Sequence, residues 1–226
     1  MPPSSKSAAA GGRGSGGENG SSVSPLTINR LSVYLRSLRQ LRDQGVDKVS
    51  SQQLARRFHL SSTQIRKDLA QFGEFGTRGV GYDVVELANH LESLVGLDRI
   101  YKVAIVGMGN IGTALARFPA FNSGSFQVVA AFDNDPAKIG QRVGAVVVRS
   151  TSDLALVAQR AEVAIGVVAV PAESALGVFD ALARAGVQAV VNFAPTTLPP
   201  RAGVRVKNVD LRIHLEELAF YLSHPG

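Results

Sequence analysis

The chain contains no cysteine, which excludes disulfides, iron–sulfur clusters and thiolate zinc sites; no metal site is expected. Long apolar runs are missing too. No apolar stretch reaches 18 residues and the first 25 residues hold no apolar h-region, so neither a membrane span nor a secretory signal is expected, and a cytoplasmic setting fits. Histidine is sparse and badly placed for catalysis. His59, His90, His214 and His224 all avoid the carboxyl ends of the expected strands, where hydride chemistry would need a positioned acid or base. No catalytic residue is therefore assigned, and the chain is expected to bind rather than to turn over. Acidic residues are scarce in one quarter of the sequence: residues 26–80 carry ten Lys/Arg against four Asp/Glu, whereas residues 81–226 carry twelve against thirteen. The net charge of +6 sits almost wholly in that quarter, which points to a polyanion as its partner.

The residues that are present divide into four parts. Residues 1–25, mostly Gly, Ser, Ala and Pro, cannot offset the entropy of ordering and are expected to form a disordered tail closed by Pro25, with Thr27 capping the first helix. Residues 26–97 are expected to form a winged helix with a linking helix. Ile28, Leu31, Leu35, Leu38 and Leu41 repeat at helical spacing up to Gly45; Ser50-Ser51-Gln52-Gln53 opens a second helix by a capping box, with Leu54 and Phe58 facing in. Ser61-Ser62-Thr63-Gln64 repeats the device and starts a third helix carrying Ile65, Leu69 and Phe72. Short helices joined by the turn His59-Leu60-Ser61 make a helix-turn-helix within about Tyr34 to Gly73. The glycine-rich Phe72 to Tyr82 suits a hairpin wing. Asp83 and Glu86 start the linking helix, which Gly96 ends.

Residues 98–210 alternate strand and helix. Strands are expected at 101–106, 127–132, 144–148, 163–169, 188–193 and 204–207, and helices at 110–118, 151–160, 172–185 and 211–222. The alternation predicts a Rossmann-like, doubly wound parallel sheet, making the whole chain mainly α followed by α/β. Its focus is Gly107-Met108-Gly109-Asn110-Ile111-Gly112, a Gly-x-Gly-x-x-Gly turn between an apolar strand and a helix. The first glycine permits the turn, the second lets backbone approach a pyrophosphate and the third lets helix pack on strand. Asp133 lies 21 residues beyond Gly112, close to the spacing of the acid that binds an adenine ribose. Val170-Pro171 and Asn192-Phe193 end two later strands on the same edge and are expected to line the crevice. The pattern fits a dinucleotide, and coenzyme A on the same turn remains open.

In a helix-turn-helix the last helix enters the major groove by its N-terminal residues. Those are Ser61, Ser62, Thr63, Gln64, Arg66 and Lys67, the last two on the face opposite Ile65 and Leu69. Ser50, Ser51 and Gln52 would approach the DNA backbone, and Arg78 in the wing would enter a minor groove. A small NAD-dependent oxidoreductase with a fused basic domain is the competing reading.

Taken together the motifs resemble the Rex family of redox-sensing transcriptional repressors. The resemblance lies in Ile28-Asn29-Arg30-Leu31 with Tyr34-Leu35-Arg36, Ile65-Arg66-Lys67-Asp68-Leu69 with Phe72-Gly73, and Tyr82 after Gly76 to Gly81. It continues in Gly107 to Gly112, Phe132 to Pro136 with Lys138-Ile139-Gly140, Asn192 to Pro195 and Asn208-Val209-Asp210. The resemblance implies NAD(H) as cofactor, palindromic operator DNA and a second copy of the chain as partners, and release of DNA when NADH replaces NAD⁺. It assigns residues 211–226 to a helix exchanged between subunits and makes Arg36 and Asp210 an ion pair of the redox switch. Some relatives carry Tyr where this chain has Phe118, so a hydroxyl that would hold the Asp210 carboxylate is missing here.

Overall fold

The computed structural model describes residues 23–77 and 79–224, with Phe58 described in its backbone alone. Most of the tail, Arg78 and the side chain of Phe58 thus lie outside the described residues. The chain divides into two compact units, with the boundary along the chain between Val95 and Gly96.

The first unit opens with α1 (Pro25–Asp43). Its start lies earlier than the apolar spacing suggests, and the cap is Ser24 rather than Thr27: the Thr27 amide donates to Ser24 Oγ, and Pro25 takes the first helical position, where a missing N–H costs nothing. The inward stripe is Leu31, Tyr34, Leu35, Leu38 and Leu41, whereas Ile28 is exposed. After β1 (Lys48–Val49) come α2 (Ser51–Phe58) and α3 (Ser62–Ala70), joined through His59 in the left-handed region. The expected capping box is complete at α2, where Ser50 and Gln53 satisfy each other's amides. At α3 only half of it forms. Ser61 accepts from the Gln64 amide, but the Gln64 side chain turns to the buried Asp68 instead of reaching back. The wing is β2 (Gly76–Thr77) paired antiparallel with β3 (Gly81–Asp83), and β1 completes the sheet on the other edge of β3. Asp83 caps α4 (Val84–Leu94), whose Val84, Leu87, Ala88 and Leu91 are buried.

The second unit is a seven-stranded sheet. In chain order it runs β4 (Tyr101–Val106), α5 (Asn110–Arg117), β5 (Phe126–Asp133), β6 (Arg142–Val143), β7 (Val146–Ser150) and α6 (Leu154–Arg160). It continues with β8 (Ile165–Val168), α7 (Ala172–Arg184), β9 (Ala189–Asn192), β10 (Arg205–Asn208) and α8 (Leu211–Ser223). The strand order is β10-β9-β8-β4-β5-β7-β6, and every pair is parallel except β6 with β7. That edge hairpin corrects the expected strand at 144–148: Gly144 makes the turn, so pairing begins at Val146 and a short antiparallel strand precedes it. The helix expected at 110–118 ends at Arg117 and is followed by a 3-10 turn, Pro119–Phe121, while the one expected at 151–160 begins with a 3-10 turn, Thr151–Asp153, before α6. Alternate residues of β4 and β5 enter two cores. Ala104, Val106, Ala130 and Phe132 meet Leu154 and Phe179, while Val103, Ile105, Val128 and Ala131 meet Ala116 and Val148. The connection reverses direction between β4 and β8, which opens a crevice at their carboxyl ends.

Replacing Ser50 by Ala should cost about 1 kcal/mol, because it removes the hydroxyl that accepts from the Gln53 amide while the Ser50 backbone N–H still reaches Gln53 Oε1. Denaturant midpoints of the two proteins measure it.

Candidate functional site

The glycine turn stands at the reversal point. Gly107 has φ +95°, and a side chain there would collide with the backbone of Ala169, so the turn passes hard against the end of β8. A side chain at Gly112 would strike the Gly107 carbonyl, whereas Gly109 has open space around it and an ordinary φ of −74°. Gly109 is the N-cap of α5 and offers no side-chain acceptor, so the first amides of α5 face the crevice for an anion. Met108 turns its side chain into the core; only its backbone belongs to the site.

Two lobes flank this helix end. One, of about 670 Å³, is lined by Gly107, Gly109, Asp133, Asp135, Lys138, Val170, Pro171 and Glu173. The other, of about 420 Å³, is lined by Ile111, Phe193, Pro195, Asn208, Asp210, Leu211 and Arg212. Val170, Pro171 and Phe193, expected to line one crevice, are therefore divided, Val170 and Pro171 in the first lobe and Phe193, with Leu211, in the second. Asn110 and Ile111 are exposed at the divide.

Two polar residues taken from the sequence as ligand contacts prove to be engaged with the protein. Asp133 is buried: its Oδ2 accepts from the Met108 amide at 2.7 Å and the Lys138 ammonium at 3.2 Å, and Oδ1 accepts from the Asp135 amide at 2.9 Å. Burial opposes its ionisation, but these amides and the Lys138 charge hold the carboxyl below its ordinary value. Asn192 is also buried. Its amide donates to the Thr196 carbonyl and to Asn208 Oδ1, and its oxygen accepts from the Ala194 amide. It thereby ties the Phe193–Thr196 loop to the end of β10, the two segments that wall the second lobe. Asp210 is exposed and caps α8 through the Arg212 amide. Phe118 is exposed just beyond α5, and Arg36 is exposed on α1 of the first unit.

In the first unit, Ser50, Ser51, Gln52 and Arg66 line a groove of about 800 Å³ between α3 and the wing, together with Gly76, Thr77 and Gly79. Arg66 bridges two helix starts, donating to Ser51 Oγ at 3.0 Å and Thr63 Oγ1 at 3.3 Å. Lys67 is exposed beside it, and Ser62 and Gln52 edge a second shallow groove with Arg56. The Ser50 and Ser61 hydroxyls cap their own helices. Given no role by the sequence is Asp68, a fully buried carboxylate on α3 bonded to Arg30, Tyr34 and Gln64. Its only trace in the sequence is an acid at an inward helical position.

A winged helix-turn-helix joined on one chain to a doubly wound, glycine-turn unit defines the class: a DNA-binding fold coupled to a nucleotide fold. Family models divide the chain the same way. Residues 22–70 match "Putative DNA-binding protein N-terminus" and residues 98–196 match "CoA binding domain". The redox-sensing transcriptional repressor Rex of Chloroflexus aggregans is 43% identical over 198 residues, 88% of this chain and 93% of that one. Rex of Carboxydothermus hydrogenoformans is 44% identical over 201 residues, 89% and 97% of the two chains. Among solved structures, RSP, a Rex-family repressor, in its complex with β-NAD⁺ and operator DNA has a TM-score of 0.84 at 35% identity, covering 88% of this chain and 92% of that one. Its complex with β-NADH gives 0.81 at 33% identity. The chain belongs to the Rex family of redox-sensing transcriptional repressors.

In the nucleotide unit, Gly112→Ala should cost about 3 kcal/mol, since backbone must move, while Gly109→Ala should stay within about 0.5 kcal/mol, as thermal denaturation will show. Because Asp133 titrates below its ordinary 3.8, its contribution is present above that pH and lost as pH falls through the lowered value. The stability gap between wild type and Asp133→Asn should accordingly narrow below pH 3.8.

Proposed function

We propose that this protein is a dimeric, NADH-responsive repressor that holds palindromic operator DNA with its winged helix and lets go when NADH replaces NAD⁺. The observation that carries the reading is the likeness over 88% of the chain to a Rex-family repressor bound to both NAD⁺ and operator DNA. The pyrophosphate would sit on the Gly107–Gly112 turn at the start of α5, where backbone amides and the helix dipole favour negative charge. The lobe with Asp133, Asp135 and Glu173 suits the adenosine half, because three carboxylates around one lysine disfavour a 2′-phosphate. The lobe with Phe193 and Leu211 suits the nicotinamide ring.

NAD⁺ and NADH differ at that ring by one positive charge and by ring shape. Apolar Phe193 and Leu211 favour the neutral form, and Arg36 and Asp210 would be the charged residues of the switch. Phe118 leaves that pair without a tyrosyl hydroxyl. On the DNA side, Arg66 and Lys67 would reach bases, and Ser51, Gln52, Ser62 and Thr63 would position the backbone. Ser50, Ser61 and Gln64 belong to the same face through capping and the tie to Asp68, and Arg78 would serve the wing. The domain boundaries proposed are 26–97, 98–210 and 211–226. The last is a helix with no buried residue on a single chain, Leu222 being 83% and Leu211 67% exposed, which supports exchange with a second copy. A cytoplasmic location accords with a gene regulator.

The match of residues 98–196 to a coenzyme A domain model keeps that ligand as the second reading. A gel shift on the duplex that the wild-type protein selects from a randomised pool decides between them. NADH should release the DNA, NAD⁺ and NADPH should fail to at the same concentration, and coenzyme A should not compete. Equal release by NADPH would remove the role given to the carboxylate-lined lobe, and release by coenzyme A would favour the second reading. Gly109→Ala, folded as wild type, should need more than about tenfold more NADH, because a methyl group intrudes where the pyrophosphate lies.

A further inference from the structure

We infer that Asp68, which lies on the inward face of α3, fixes the angle at which the recognition helix is presented and thereby determines sequence preference. The inference rests on the DNA-binding reading above. Asp68 is fully buried, and four donors converge on its two oxygens. Oδ2 lies 2.6 Å from Arg30 Nε and 2.9 Å from Tyr34 Oη; Oδ1 lies 2.9 Å from Arg30 Nη2 and 2.7 Å from Gln64 Nε2. Arg30 and Tyr34 both come from α1, one turn apart on a single face, and Arg30 is itself steadied by Thr27 Oγ1 at 3.2 Å.

A planar guanidinium gripping a carboxylate through two parallel bonds specifies direction as well as distance. An apolar pair of similar volume often holds two helices together about as firmly, so stability alone is a poor account of an ion pair whose carboxylate is fully buried and whose guanidinium is partly so. What the four bonds add is a single permitted orientation of α3 about its own axis. Van der Waals packing through Ile65 and Leu69 leaves that rotation less determined, because sliding one apolar surface over another breaks no bond. Gln64 makes the link to the DNA face direct. It stands in the first turn of α3 beside Thr63 and Arg66, and its amide is drawn inward by Asp68 instead of completing the capping box. Asp68 thus acts as a positioning residue through Gln64 and the helix backbone.

Base contacts and phosphate contacts respond differently to a small tilt. A bidentate contact to a base edge depends on angle, whereas attraction to phosphates depends mainly on charge number. Loosening the clamp should reduce specificity and spare non-specific affinity. The test compares affinity for a duplex enriched from a randomised double-stranded pool on the wild-type protein with affinity for a scrambled duplex of the same length and composition. Asp68→Asn should lower that ratio about tenfold and Tyr34→Phe about threefold, with the salt dependence of binding unchanged. Arg30→Lys, which keeps the charge but loses the fork, should lower it too. NADH affinity should not change in any of them. A ratio that survives in the folded variants overturns the inference, as does an equal fall on both duplexes, which would leave Asp68 a role in folding only. Failure of the wild-type protein to enrich any sequence would instead overturn the DNA reading itself. Should Asp68→Asn not fold, Tyr34→Phe, which deletes one hydroxyl from the cluster, decides by the same ratio.

Discussion

The hydrogen bond from the Met108 amide to the Asp133 carboxylate joins the glycine turn to the end of the neighbouring strand, and the geometry of the crevice depends on it. In the turn Gly107-Met108-Gly109 only Met108 has a side chain, and it is anchored in the core on one side. Left alone, the turn would sample several backbone conformations, and a pyrophosphate would have to meet the entropy of selecting one. The carboxylate supplies that selection beforehand. It also draws in Lys138 and the Asp135 amide, so that the residues around the first lobe are ordered by one buried charge. Removing Asp133 would thus loosen the turn as well as any ribose contact, and the two effects separate only by measuring stability and ligand affinity on the same variant.

The same device recurs in two other places. Asn192 ties the Phe193–Thr196 loop to the end of β10, and Asp68 ties α3 to α1. Each is a buried polar residue placed immediately behind a surface proposed to meet a ligand. Burying such groups is costly unless their bonding capacity is filled, and among the described residues no buried side-chain nitrogen or oxygen lacks a partner. The filled network yields loops and a helix whose positions are set by directional bonds in addition to packing. Surfaces that must recognise a base edge or a planar ring require that precision, because their contacts weaken within a few tenths of an ångström.

This explains which parts of the molecule the sequence reveals. Periodicity reports one face of a helix or strand against one core, so the helices of the first unit, the alternation of the second and the glycine turn were legible, with Gly107, Gly112 and the Asp83 cap each doing what local chemistry demands. Hydrogen-bond partners 25 or more residues apart are not written in any local pattern. The Met108–Asp133 bond and the Tyr34–Asp68 bond arise only once the elements are packed. Hence the loop-holding bonds of Asp133 and Asn192 were not legible, and Asp68 appeared only as one member of the Ile65–Leu69 motif, without its role. Smaller departures have equally local causes. Pro25 extends α1 because proline favours the first helical position, and Gln64 abandons its capping role because a buried carboxylate outcompetes an exposed amide.

The helix α8 sets the last constraint on how the protein works. Its thirteen residues leave Leu211, Ile213, Leu215, Leu218, Phe220, Tyr221 and Leu222 exposed on the single chain, a run of apolar surface too large for a helix content to face water. If a second copy covers it, folding and association become one process, and the nucleotide unit of one subunit feels the other through that helix. Asp210 then occupies a telling position: it caps α8 while lining the second lobe beside Phe193. A positive charge held in that lobe would compete with the Arg212 amide for the Asp210 carboxylate, so the start of α8 would respond to the contents of the lobe. To move a two-state equilibrium from 1:99 to 99:1 the two redox forms must differ by about 5.5 kcal/mol in their preference for the two states. One capping bond, of order 1 kcal/mol, falls short of that. Two copies of the bond would give only about 2 kcal/mol, so a sharp response has to draw most of its free energy from the apolar surface of α8, the larger store on this chain.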